Sequence, residues 1–480
     1  MQANLYKQKY NALLLMAWLV VSFYLVLRTY FVDITDDEAW SYYNVKHFWW
    51  VETLCSGNTH WFNFLAIKTA LLFGYEKAWQ LRWFSLLSGI TFLYVGYLWL
   101  KSLDNLGIKL LAFSLLFLNP YVIEYLTLAR GYSSALCFMA LSLYFYSTRD
   151  RKFIISLSLL FAGSSAIANF NFFYFFVPFA AIYFHKHYLQ NRFEFFKNKQ
   201  FYKDALYALG IVFLVLRALA FIKECSNDIG SFGGNDLVTS VFCSFIDTLV
   251  YGQFLIPIFI KYVLGCCLLA FVVAASVYGL VTYKRHANNL YYYSSLILLG
   301  MLFLVTFNHW IFHVLYPTER TALMFYPLMI IVLVLFFNYI SIKTILKNSM
   351  LYLVSILLVI NFSVNAKLVS GYDHSYCMNT NQYFEYLSSL KAKKVCLGVE
   401  VYFIYLKYYQ YTIAPFYAES INEYKTNPKY LFNHQLQDFD YLLLLPPYNL
   451  KYYKKSSIRL KALKYFPHTK ALIVKVEKKQ

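Results

Sequence analysis

Charge is what this sequence has least of. Only 14% of its 480 residues are Asp, Glu, Lys or Arg, against about a quarter in ordinary soluble domains. Acids are the scarcer sign, 24 against 43 basic residues, for a formal net charge of +19. CxxC pairs, zinc-finger spacings, glycine-rich phosphate loops and long basic helices are all missing. Their absence excludes the common dithiol-redox, zinc-module and nucleotide-loop classes, and leaves the positive charge with no nucleic-acid motif to serve. No repeat of about 20–50 residues recurs, which removes solenoids and propellers. Cysteine is sparse at 8 residues. Cys377–Cys396 or Cys225–Cys243 could bridge outside the cytoplasm, but free thiols are the expectation.

What fills the space is apolar. Hydrophobic residues make up 60% of the chain, 21% is aromatic, and the mean hydropathy is +0.47. Apolar runs lie near 11–31, 80–100, 107–124, 130–148, 153–169, 171–186, 204–222, 254–282, 291–310, 321–340 and 350–366. Many reach the roughly 20 residues that cross a bilayer. The expected fold is therefore an all-α polytopic membrane protein of about eleven transmembrane helices over residues 1–366. The run at 11–31 is too long for a removed signal peptide and is read as a retained first span.

The connecting loops set an orientation. With the N-terminus inside, the inner loops are basic throughout, as at Lys101 and Lys109, Arg149 to Lys152, Lys284 and Arg285, and Lys343 and Lys347. That is the positive-inside pattern, and it places the protein in the cytoplasmic membrane. The first outer loop, 32–77, is instead rich in acid: Asp33, Asp36, Asp37, Glu38, Glu52 and Glu76. An odd span count puts the C-terminus outside. From 367 to 480 the texture changes to short apolar runs at Val395–Val401, Tyr441–Leu445 and Ala471–Val476, with a helix-like stretch at Tyr383–Lys391. A small extracytoplasmic α/β domain is expected there.

Ionisable residues gather at the outer boundary, where charge is expensive and marks a site. Asp36, Asp37 and Glu38 follow the first span directly. Three adjacent carboxylates repel, which should raise at least one pKa; one of them could act as a base or hold a divalent cation. A solvated acidic loop is the plainer alternative. Glu124 and Arg130 bracket the junction that opens at Asn119-Pro120 and runs on to Tyr132. Arg130 could grip a phosphate bidentately or merely snorkel. His309 and His313 stand four apart, a metal-ligand spacing that more often serves interfacial hydrogen bonding. Glu319-Arg320 opens the next span; the arginine opposes the helix dipole there unless an anion or Glu319 compensates it.

The turn Asp36-Asp37-Glu38-Ala39 resembles the Asp-Glu motif in the first outer loop of GT-C-fold glycosyltransferases. The nearest group is the protein mannosyltransferase and aminoarabinose transferase-like family. Gln80-Leu81-Arg82-Trp83-Phe84-Ser85, with Gly89, is similar to that family's second-span opening, and Ala129-Arg130-Gly131-Tyr132-Ser133 to its Ala-Arg-Pro/Gly-Tyr element. Pro317-Thr318-Glu319-Arg320 resembles a late outer-loop motif of bacterial members.

The resemblance spans roughly residues 10–340. It implies a sugar moved from a polyprenyl-phosphate donor to a lipid, glycan or protein acceptor at the outer face, with inversion. Asp37 would be the catalytic carboxylate, Glu38 its neighbour, and Asp36 an extra acid that blurs the assignment by one residue. Arg130 and Arg320, and more weakly Arg82, would meet the donor phosphate; Tyr132 would stack on sugar or prenyl chain. Gly131 departs from the family's frequent Pro. An acceptor that is already ionised would need no base, and Asp37 would then only position it. No cofactor is implied for certain; metal use varies in this fold. A transporter or lipid flippase is the competing class, but transporters carry internal repeats and mid-membrane broken helices, whereas the polar residues here lie at one boundary.

Overall fold

The computed structural model describes residues 2–47, 60–148, 152–188, 199–225, 233–251, 256–286, 289–340, 344–369, 380–392, 395–397, 408–409, 440–444, 458–467 and 470–478. The chain divides into two compact units. One holds residues 1–29, 50–66 and 82–366; the other holds residues 30–49, 67–81 and 367–480. The helices in chain order are α1 (Gln2–Phe31), α2 (Asp36–His47), α3 (Trp61–Leu72), α4 (Trp83–Ser102), α5 (Leu106–Phe117), α6 (Pro120–Thr127), α7 (Tyr132–Thr148) and α8 (Lys152–Ala168). They continue with α9 (Phe173–His187), α10 (Lys199–Cys225), α11 (Ser244–Val250), α12 (Ile258–Val281), α13 (Asn289–Phe312), α14 (Tyr326–Tyr339) and α15 (Thr344–Asn365).

Every apolar run read from the sequence has become a helix or a helix pair. Length sorts them further. Tyr10–Phe31, α4, α12, α13 and Ile345–Asn365 are long and apolar enough to cross a membrane alone, and α5 with α6 makes a sixth, bent by 48°. The runs behind α7, α8, α9 and α14 give helices of 14–17 residues, at or just below the roughly 17–25 residues of a transmembrane helix. Among the described residues, five or six helical segments thus qualify as spans by length and composition. Large apolar side chains such as Val20, Phe213, Ile258 and Ile360 lie exposed. A patch of that kind is stable against lipid and not against water.

The bend is encoded locally. Pro120 removes a backbone donor just where a new helix must start. The Asn119 side chain accepts from the Tyr121 and Val122 amides and donates to the Tyr326 hydroxyl at 2.7 Å. Close packing needs glycine on α4: a Cβ on Gly89 would sit 3.0 Å from the Leu126 carbonyl, and one on Gly96 would sit 2.7 Å from the Phe117 ring. Asn105 and Asn348, on two loops expected on one side, share a hydrogen bond of 3.2 Å. At that same end a cavity of about 500 Å³ lies among Ser102, Ser147, Asn289 and Tyr339, and no predicted site residue lines it.

The second unit contains α2, the helix α16 (Thr380–Ser389) and four strands: β1 (Val395–Leu397), β2 (Tyr441–Leu444), β3 (Ile458–Phe466) and β4 (Ala471–Lys478). Their order is β1-β2-β4-β3. β1 and β2 pair in parallel, and β4 runs antiparallel to both β2 and β3, with an irregularity between Ala462 and Lys464. Tyr383 on α16 meets Phe466 edge-on at 4.5 Å and forms part of the core. The expected α/β character is present. β3 was not expected. Among the described residues Cys137, Cys243, Cys266 and Cys267 are free thiols, so Cys243 bridges nothing; Cys55 and Cys377 lie outside those residues.

Candidate functional site

The acidic turn belongs to the second unit and forms the first turn of α2. Thr35 precedes it as the helix cap. Its amide and hydroxyl both donate to Glu38 Oε2, at 3.0 and 3.1 Å, and the Glu38 amide donates back to Thr35 Oγ1 at 3.3 Å. This is a reciprocal capping box, which satisfies amide donors that a helix start would otherwise leave open. It gives Glu38 a structural task. Asp37 is 8% exposed, and its carbonyl accepts from Ser41 Oγ at 2.8 Å. A carboxylate in the first turn meets the positive end of the helix dipole, an effect that opposes the mutual repulsion expected of three adjacent acids.

The other predicted residues belong to the helical unit, and long-range contacts gather them. Arg82 is fully buried at the head of α4, with Nη1 donating to the Thr29 carbonyl at 3.1 Å. Glu124, 1% exposed on α6, accepts from the Tyr251 hydroxyl at 2.9 Å. Tyr24 lies within electrostatic reach of both Arg28 and Glu124. Arg130 is 1% exposed, and a charge so placed requires ligands or partners around it. Gly131 follows with φ +71, and a Cβ there would meet the Ala168 carbonyl at 2.6 Å and His60 Cβ at 2.7 Å. Proline cannot adopt that angle, so the departure from the family's Pro has a physical reason. Tyr132 packs on Tyr125 at 5.0 Å and on His60 at 5.6 Å. Ser133 Oγ donates to the Ser85 carbonyl at 2.6 Å, which joins the two motif segments around Arg82 and Arg130.

The late loop closes on the same cluster. Gly234 and Tyr316 exchange backbone hydrogen bonds of 3.0 and 2.8 Å. The Glu319 amide donates to Ser244 Oγ at 3.0 Å, and Glu319 itself has a left-handed φ of 46. Such backbone strain in a non-glycine residue tends to occur at functional turns. Arg320 acts on His60: burial, and then the Arg320 charge, push the imidazole down from its usual range to about 3, while the Ala168 carbonyl acts in the opposite sense. His60 is therefore neutral at physiological pH.

His309 and His313 do not form a ligand pair. The His309 ring stacks on Tyr316 at 4.3 Å with Nδ1 2.9 Å from the Val314 carbonyl, and His313 is exposed beyond the end of α13. Among the described residues no group of three or more His, Cys, Asp or Glu is arranged to hold a metal ion.

Three residues of this cluster went unread in the sequence. Arg28 was absorbed into the first apolar run, although a charge in the last turn of a span is itself a signal. His60 is a lone histidine before an apolar helix, which carries no pattern. Tyr251 reaches Glu124 across 127 residues, and no local pattern could show that.

No family model matches this chain, and neither does any curated protein sequence. Solved structures do. The fold is that of a GT-C-like polytopic helical membrane protein. Among the matches is ArnT from Cupriavidus metallidurans, both in its apo state (TM-score 0.51) and bound to undecaprenyl phosphate (TM-score 0.54). Each comparison has 11% identity and covers 97% of this chain and 98% of that one.

Proposed function

We propose that this protein is an inverting glycosyltransferase of the cytoplasmic membrane that takes a sugar from a polyprenyl-phosphate donor and passes it to an acceptor at the outer face. The observation that carries this reading is the fold shared with ArnT along nearly the whole chain, joined to an acidic turn in which the helix cap engages Glu38 Oε2. In the proposed step the acceptor oxygen attacks the anomeric carbon from the face opposite the phosphate. The carbon–oxygen bond to phosphate breaks and its electron pair departs with the polyprenyl phosphate. The acceptor's proton passes to Asp37, with Asp36 as the neighbouring candidate. Arg130 and Arg320 stabilise the leaving phosphate charge, and Tyr132 stacks on the sugar or the prenyl chain.

ArnT's bound undecaprenyl phosphate supports a donor of the polyprenyl-phosphate class. The acceptor is a lipid, glycan or protein. The basic inner loops support an outer location for the acidic turn and the C-terminal segment.

The test is transfer of label from a radiolabelled polyprenyl-phosphate sugar in reconstituted vesicles, with wild type beside Asp37→Asn and Asp36→Asn. The expected result is transfer by wild type and its loss in Asp37→Asn. Undiminished transfer in both variants, with folding intact, would overturn the assignment of the base.

A further inference from the structure

The helix that carries Asp37 is held from its far end by the C-terminal segment, and one tyrosine provides the hold. Glu38, Tyr42 and Lys46 are spaced at i, i+4 and i+8, so they share one face of α2. Each is engaged. Glu38 closes the capping box on Thr35. Tyr42 is fully buried, and its hydroxyl donates to Glu76 Oε2 at 2.9 Å. Lys46 Nζ reaches Glu76 Oε1 and the Tyr42 oxygen, both at 2.9 Å. Glu76 is held in turn by its backbone, whose carbonyl accepts from the Tyr408 hydroxyl at 2.9 Å. The Tyr408 ring stands edge-on to Tyr42 at 5.0 Å.

Tyr408 is only 3% exposed and its neighbour Tyr409 is 4% exposed. Tyr409 is directed into the C-terminal fold. It stacks on Phe384 of α16 at 4.7 Å, with its hydroxyl 2.9 Å from Thr380 Oγ1. One residue of this pair is thus anchored in the α/β fold, and the next is set against α2 and Glu76. All of these residues lie within one compact unit.

We infer that Tyr408 is a positioning residue: with Glu76 and Lys46 it fixes the axial rotation of α2, and so the direction in which Asp37 presents its carboxylate. This rests on the proposed role of Asp37 as the base. Asp37 adjoins Glu38 on the helix, and turning the anchored face by a few degrees would turn the carboxylate with it. A proton acceptor displaced by about 1 Å loses on the order of 100-fold in rate. The C-terminal segment then belongs to the catalytic apparatus.

The experiment uses the full-length protein in vesicles. Tyr408→Ala removes both ring and hydroxyl; Tyr408→Phe keeps the ring against Tyr42; Glu76→Gln keeps shape and weakens the bond to Lys46. Tyr408→Ala should lower kcat by roughly 10–100-fold with the donor KM within about threefold, and Tyr408→Phe should recover most of that loss. Hydrogen exchange should quicken in residues 36–47 of Tyr408→Ala and stay unchanged in residues 380–389. Should Tyr408→Ala fail to fold, the same split and exchange pattern are read, at smaller amplitude, in Glu76→Gln. Wild-type kcat and wild-type exchange across α2 in these variants would overturn the inference. If Asp37→Asn transfers sugar like wild type while α2 exchange still responds to Tyr408→Ala, the catalytic reading has failed and the anchoring has not.

Discussion

The two units hold their acids and bases by opposite means. In the helical unit Arg82 and Glu124 are deeply buried, and each meets a partner far along the chain: Arg82 the Thr29 carbonyl, Glu124 the Tyr251 hydroxyl. In the second unit the acidic turn organises itself, Thr35 and Glu38 closing the helix start within four residues. The difference separates two tasks. A network assembled from distant segments in a low-dielectric interior is rigid and costly to disturb. The capped turn fixes Glu38 within four residues, and Tyr42 and Lys46 further along the same helix are held by Glu76.

That contrast can be broken in four places. Arg130→Gln should cost about 10²–10³-fold in kcat if the arginine stabilises the leaving phosphate, measured as sugar transfer in vesicles; an unchanged kcat would leave the buried network purely structural. Gly131→Pro should cost about 3 kcal/mol or more, because proline cannot take the left-handed angle the turn demands, and thermal unfolding in detergent would show it. The pH dependence of His60 comes next. Its folded pKa of about 3 lies below its ordinary value, so the unfolded chain takes up a proton first as pH falls. Stability from this group is whole above about pH 6.5 and declines by up to about 1.4 kcal/mol per pH unit toward pH 3. Unfolding midpoints at pH 7 and 5 should diverge more for wild type than for His60→Gln. Thr35→Ala should cost only about 1 kcal/mol, the usual worth of a helix cap. A loss several times larger would mean that the acidic turn depends on more than its own cap.

Legibility followed range. Hydropathy runs became helices because a 20-residue apolar segment has one low-energy conformation in lipid. The bend at Asn119-Pro120 lies at a residue pair read as a junction, and Thr35-x-x-Glu38 carries the capping-box spacing within four consecutive residues. β3 was missed although Ile458, Leu460 and Ala462 alternate with Arg459 and Lys461 as a half-buried strand should; its lysines masked the period. His60 and Tyr251 were illegible for a different reason. Their importance comes from what the fold brings beside them: Gly131 and Arg320 for His60, Glu124 for Tyr251.

The most direct measurement compares Asp37→Asn with Glu38→Gln in one assay of label transfer from a polyprenyl-phosphate sugar. Glutamine can replace glutamate in a capping box, so Glu38→Gln should keep near wild-type kcat with at most a small loss of stability. Asp37→Asn should lose roughly 10²–10⁴-fold in kcat at wild-type stability. Equal losses in the two variants, or a loss confined to Glu38→Gln, would contradict the division of the acidic turn into a cap and a base.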